Sequence, residues 1–305
     1  MPDAEEPSPM SVTLIAAVVA LVLGHLAPSL AVSVRRYGWY RDWIGWLNGQ
    51  FPDGSFWRGR WGIALALLPP LVAVGLFQLS LDARMLGLAE LVFGVAVLFY
   101  TWGPRDLDVD VEAVAQARDP ASRREAAARL STDGATVPEG PALVEAVFRN
   151  AMRRWFGVLF WFLLLGPFGA LLYRLLVLSV AGDAARALPQ RTVGGARTLL
   201  AVLEWPVAQL MTLALALVGN FDSVLGAWRE AGGASFRADH RFLLAAGRAS
   251  VRSEMAADAA DADYADGQVA IGELPELRDA MSLVWRCLLV WLAVLALFVI
   301  AGWVS

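Results

Sequence analysis

The chain has 305 residues, 58% of them hydrophobic, with a net charge of −4 and a mean hydropathy of +0.54. Soluble domains average about 45–50% apolar residues; here the excess sits in long runs, so the chain reads as an integral membrane protein, and its charge gives no footing for nucleic acid. All 25 basic residues are Arg, which excludes a P-loop lysine and a Schiff-base amine, and the lone Cys287 excludes an internal disulfide or a Cys-based metal cluster.

The periodicity predicts an all-α polytopic fold of about six transmembrane helices with interfacial and cytoplasmic amphipathic helices. Residues 1–11 are an acidic, Pro-containing tail expected to be disordered, and 12–305 form one membrane domain. Spans are expected near 12–34, 62–81, 86–102, 156–181, 205–225 and 283–303, each close to the roughly 20 apolar residues that cross the hydrocarbon core. His25 lies inside the first span and is read as neutral against a helix neighbour, with a proton-coupled role as the other reading. His25 and His240 have no metal-ligand spacing, so no metal and no cofactor is expected.

Between the first two spans, RRYGWYRDWIGWLNGQFPDGSFWRGR interleaves Arg and aromatics at near-helical spacing. It predicts an amphipathic helix in the membrane interface, then a turn at Pro52-Asp53-Gly54. The second span carries Pro69-Pro70, and the third carries Glu90. Residues 103–155 and 226–282 are polar and helical. In the first of these, Asp106, Asp108, Asp110 and Glu112 alternate with apolar residues like a strand. The Ala-rich continuation favours a helix, with the acids at its solvated start; a Mg²⁺ set is the alternative. Arg-rich segments mark the cytoplasmic side. Six alternating crossings then place 35–60, 103–155 and 226–282 inside, and the N-terminus, 182–204 and the C-terminus outside.

One stretch stands apart: EAVFRNAMRRWFGVLFWFLLLGPFGALLYR, residues 145–174. A charged collar (Glu145, Arg149, Asn150, Arg153, Arg154) runs into an apolar segment broken at Gly166-Pro167 and closed by Tyr173-Arg174. Ionisable groups at membrane depth are costly and usually face a protein interior or a wet cavity. Glu145, Arg149, Asn150, Arg153, Tyr173 and Arg174 are therefore the candidate ligand contacts. Glu90, Arg174 and Glu204 are a candidate intramembrane charge network. Gly166, Pro167 and Gly169 are a candidate small-residue groove, packing the chain's own helices or receiving a partner's helix.

The same stretch, with TWGPRDLDVDVEA at 101–113 and LEWPVAQLMTLALALVGN at 203–220, resembles the AmpE family. More distantly it resembles the CobD/CbiB membrane proteins of cobalamin synthesis. The matching residues are Glu145, Asn150, Phe160-Trp161, Gly166, Pro167, Gly169, Ala170, Tyr173 and Arg174. The AmpE resemblance implies a bacterial inner-membrane regulatory protein linked to β-lactamase induction, antibiotic response and cell-wall recycling. The CobD/CbiB resemblance implies joining an amine to a corrinoid carboxylate activated by nucleotide phosphate. Against the latter pattern, an expected acid is Arg153, a polar run after Tyr173-Arg174 is Leu175-Leu176-Val177-Leu178-Ser179, paired acids are apolar near Leu200, and an Arg is Gln209. With those acids missing, no residue is assigned a catalytic role. The expectation is a sensor that binds a cell-wall-derived small molecule or a partner without catalysis. A phosphate-dependent enzyme related to the amide synthase, and a platform for a partner's single-pass helix in the lipid bilayer, are the alternatives.

Overall fold

A computed structural model describes residues 15–16, 18–20, 33–82, 87–103, 106–131, 137–235, 239–262 and 274–301. The acidic tail, His25 with most of the first predicted span, and the acidic stretch after residue 262 lie outside the described residues. Every regular element among the described residues is helical. Four helical stretches there are long and apolar enough to cross a membrane: Arg60–Leu81, Pro141–Val180, Gln190–Val218 and Pro275–Phe298; Gly87–Thr101 is a shorter apolar helix. The protein is an all-α membrane protein. It divides into two compact units, residues 1–104, 157–200 and 292–305, and residues 105–156 and 201–291.

The first unit begins with α1 (Gly38–Gln50). Tyr40, Ile44 and Leu47 are buried at a spacing of four and three, one stripe of an amphipathic helix, while Trp39 and Trp46 stay exposed. Two 3₁₀ turns lead to α2 (Ile63–Asp82), whose Leu68, Val72, Leu76, Phe77 and Leu79 are exposed in the manner of a lipid-facing surface. Then come α3 (Gly87–Thr101), α7 (Gly157–Val180), α8 (Gly182–Ala187) and the first part of α9 (Gln190–Val218). Both α2 and α3 pack against α7.

α7 is not one rod. Gly166 has φ 64 and ψ −152 inside it, a conformation that glycine tolerates and other residues resist. A Cβ on Gly157 would collide with the ring of Tyr173, and one on Gly169 with the carbonyl oxygen of Trp161. In a straight helix residues 157 and 173 would be about 24 Å apart. Two arms, 157–165 and 167–180, therefore run antiparallel as a hairpin with its tip at Gly166-Pro167. The broken backbone at the tip is satisfied by α2: Gln78 donates from Nε2 to the carbonyl of Leu165 at 3.4 Å and accepts from the amide of Phe168 at 3.2 Å. Gln78 lies about four turns, roughly 22 Å, along α2 from Ile63, and backbone groups freed by a break in an apolar helix need partners of this kind.

The hairpin corrects the sequence topology. As a single crossing, the fourth span would separate 35–60 from 182–204. Instead Asn48 Nδ2 donates to the carbonyl of Ala187 at 2.7 Å, Thr192 Oγ1 donates to that of Trp57 at 2.7 Å, and Gly195 lies against the carbonyl of Arg60. The small residues at 166 and 169 let the chain fold on itself. The space at Gly166 is taken by Gln78, and that at Gly169 by Trp161 and Leu165.

The second unit contains α4 (Leu107–Ala115), α5 (Pro120–Ala128), α6 (Pro141–Ala151), a π turn (Met152–Phe156), the later part of α9, α10 (Phe221–Glu230), α11 (Arg241–Ala262) and most of α12 (Pro275–Ile300). The acid-bearing stretch is helical as expected, as α4 (Leu107–Ala115) capped at Asp106, but α4 buries Leu107, Asp110, Val111 and Val114. α5 starts on Asp119, which accepts from the amides of Ala121 and Ser122, with Pro120 at the first helical position. α9 begins earlier than the fifth predicted span and stops at Val218, because Asn220 caps a new helix by accepting from the Ser223 amide at 2.9 Å. α6 and α10 both pack on α11.

Candidate functional site

The polar centre of the second unit is built on the π turn. A π turn widens the helix by one residue and recurs at functional sites. Here it sends two consecutive arginines inward: Arg153 and Arg154 are each 8% exposed. Arg153 Nε donates to Glu204 Oε1 at 2.7 Å, and Arg154 Nη1 donates to Asp110 Oδ2 at 2.7 Å. Both carboxylates are 1% exposed. A buried carboxylate without such a cation would be strongly unfavourable, so each pair stands or falls together.

Glu204 has a second neighbour. Nδ1 of His240 lies 3.3 Å from Oε2 of Glu204. That is within ion-pair range but without hydrogen-bond alignment, and neither ring nitrogen has a hydrogen-bond partner among the described residues. His240 enters from the loop before α11, and its side chain is 17% exposed. Burial pushes its pKa below the ordinary value of 6.5. Glu204 and Asp239 oppose that shift, while the positive fields of Arg153 and Arg149 reinforce it. The imidazole is therefore neutral at neutral pH, held against a carboxylate that also carries a guanidinium.

The remaining predicted contacts of this unit have defined places. Asn150, 3% exposed, donates to the carbonyls of Leu130 and Ala146, both at 2.8 Å, and so ties α6 to the end of α5. Glu145 takes Arg248 of α11 at 3.1 Å. Arg149 is half-buried on α6. Gln209 donates to the carbonyl of Gly233 at 2.7 Å and accepts from Trp228 Nε1 at 2.9 Å. The acid row of 106–112 does not act as one set: Asp110 serves Arg154, Asp108 accepts from Trp285 Nε1, and Glu112 accepts from Gln116. No group of three His, Cys, Asp or Glu able to hold a metal ion occurs among the described residues.

Tyr173 and Arg174 belong to the first unit, on the returning arm of the hairpin, and are 0% and 1% exposed. Arg174 Nε donates to the carbonyl of Thr101. Nearby, Arg35 donates to the carbonyls of Phe99 and Gly103 at 2.9 and 2.8 Å, and Tyr40 shares a 2.7 Å hydrogen bond with Ser179. Glu90 lies half-buried in the first turn of α3. Of the expected network of Glu90, Arg174 and Glu204, the first two fall in one unit and Glu204 in the other, where Arg153 and His240 accompany it.

The sequence names His240 only as half of a histidine pair without metal-ligand spacing, not beside Glu204, and does not show the burial of Asp110. The signal for His240 was its scarcity, one of only 2 histidines. Asp110 was hidden because an acid at a helix start ordinarily faces water.

Apolar helices around buried ion pairs define the class: a polytopic all-α membrane protein with an internal charged centre. The chain is 30% identical over 265 residues to the cobalamin biosynthesis protein CobD of Stutzerimonas stutzeri, covering 82% of this chain and 84% of that protein. It is 36% identical over 126 residues to the CobD of Chromobacterium violaceum, covering 39% and 38%. The chain belongs to the CobD family. This fits a multi-pass protein of the bacterial inner membrane. No family model and no solved structure matches it. Both relatives carry the CobD name, so the wider CobD/CbiB-like kinship holds, while the AmpE-specific reading and its link to β-lactamase have no support from them.

Proposed function

We propose that this protein acts in cobalamin biosynthesis as a membrane enzyme of the amide-forming kind, joining an amine to a corrinoid carboxylate activated by nucleotide phosphate. The supporting observation is Glu204, 1% exposed yet holding Arg153 at 2.7 Å and His240 at 3.3 Å. The sequence argument against catalysis was a shortage of acids at the family's positions. Asp110 and Glu204, from other elements, supply buried carboxylates beside the arginines of the π turn. An apolar filling would serve packing as well as buried pairs do, so their presence favours a chemical use. Arg149 and Arg153 suit an anionic group, since guanidinium forks match phosphate and carboxylate oxygens.

The test uses the full chain in lipid nanodiscs with a corrinoid carboxylic acid, a primary amine and Mg-ATP. The expected result is a product with the mass of the amide. Absence of both product and corrinoid binding overturns the reading, whereas binding without product leaves a carrier or sensor.

A further inference from the structure

Resting on that reading, we propose that His240 is the proton acceptor for the attacking amine, oriented by Glu204 from behind. Three geometric facts carry this. Nδ1 faces Oε2 of Glu204 at 3.3 Å, while the other oxygen of that carboxylate is anchored by Arg153 at 2.7 Å. The carboxylate is thus held by Arg153 on one oxygen and turned toward the imidazole on the other, the placement of an orienting acid behind a catalytic imidazole. The imidazole side chain keeps 17% of its surface where Glu204 keeps 1%, so the ring, and not the acid, is the member a substrate can reach. Neither ring nitrogen is consumed by a hydrogen bond to a described residue. The groups facing the ring are Glu204 on α9, Arg153 on the π turn, Arg149 on α6 and Asp239 on its own loop. Burial, with the two cations, outweighs the two anions and leaves the ring neutral and able to accept a proton.

A primary ammonium gives one proton to the imidazole and becomes a neutral amine. Its lone pair attacks the carbonyl carbon of an acyl phosphate made from the carboxylate and a nucleoside triphosphate. The C–N bond forms, and the C–O bond to phosphate breaks with its electron pair leaving on phosphate. The second N–H proton departs to solvent, and the imidazolium later releases its proton there.

The experiment measures amide formation by full-length protein in nanodiscs from pH 5 to 9, with His240→Gln and His240→Ala beside the unaltered chain. General-base removal lowers rates by about 10²–10⁴-fold. We expect a fall of on the order of 10² in kcat for His240→Gln, little change in KM for the corrinoid, and loss of the acidic limb of the pH profile. Added imidazole should restore part of the activity of His240→Ala, which a purely structural role would not allow. Wild-type turnover with His240→Gln retaining both rate and profile overturns the inference and leaves the enzymatic reading intact. An inactive His240→Ala that imidazole does not revive, with an unchanged pH profile in His240→Gln, also overturns it. A wild type that forms no amide overturns both.

Discussion

The two units handle buried arginine in different ways. In the hairpin unit, Arg35 and Arg174 give hydrogen bonds to main-chain carbonyls near the end of α3. In the other unit, Arg153 and Arg154 reach carboxylates. A carbonyl offers a guanidinium a neutral acceptor, whereas a carboxylate offers an acceptor of opposite charge. The first arrangement stitches helix ends together. The second gathers opposite charges in a poorly hydrated interior, where electrostatic interactions gain strength. The buried ion pairs of the second unit are what support the chemistry proposed there.

Breaking the carboxylate side should have the largest effect. Glu204→Ala leaves Arg153 buried beside a void, and removal of one partner of a buried pair costs about 3–5 kcal/mol. Denaturant unfolding in detergent should show that loss, and combining it with Arg153→Met should recover part of it. An unchanged midpoint for Glu204→Ala would erase the distinction between the units.

The hairpin side should give a smaller, local response. Gln78→Leu strips the Leu165 carbonyl and the Phe168 amide of their partner at the tip. These groups are exposed or only part-buried, so the loss should fall at or below the roughly 1–3 kcal/mol that leaving a buried polar group unsatisfied costs. Hydrogen exchange at the Phe168 amide should quicken while exchange in α11 stays constant; equal acceleration in both would argue against a separately held tip.

Acid should produce the smallest change, confined to the second unit. The pKa of His240 is lower in the folded protein than its ordinary 6.5. Between the two values the unfolded chain binds more protons, so stability falls as pH drops from about 6.5 through the folded value and is unaffected above that window. Melting curves from pH 7.5 to 5 should show an acid-side decline that His240→Gln flattens. A decline of equal size in the variant would place its origin elsewhere.

Much of the helical layout was legible in the chain. The apolar runs at 62–81 and 86–102 correspond to α2 and α3, and the strand-like acid row is the helix that its Ala-rich continuation indicated. The collar residues Asn150 and Arg153 are buried polar groups. Gly166-Pro167 was readable as a break but not as a reversal. A break says that the helical ladder stops, whereas direction depends on what receives the second arm: α2 and α3, with Gln78 at the tip.

The sequence by itself determined that this chain is helical, lives in lipid and carries arginines where they must be compensated, because composition and period fix the cost of each backbone group and each charge. Only the tertiary structure decided which carboxylate compensates which arginine and that His240 joins Glu204. Partners separated by 44 and 51 residues in one case and 36 in the other are chosen by packing. Local preference along the chain says nothing about which of several buried acids a guanidinium will meet.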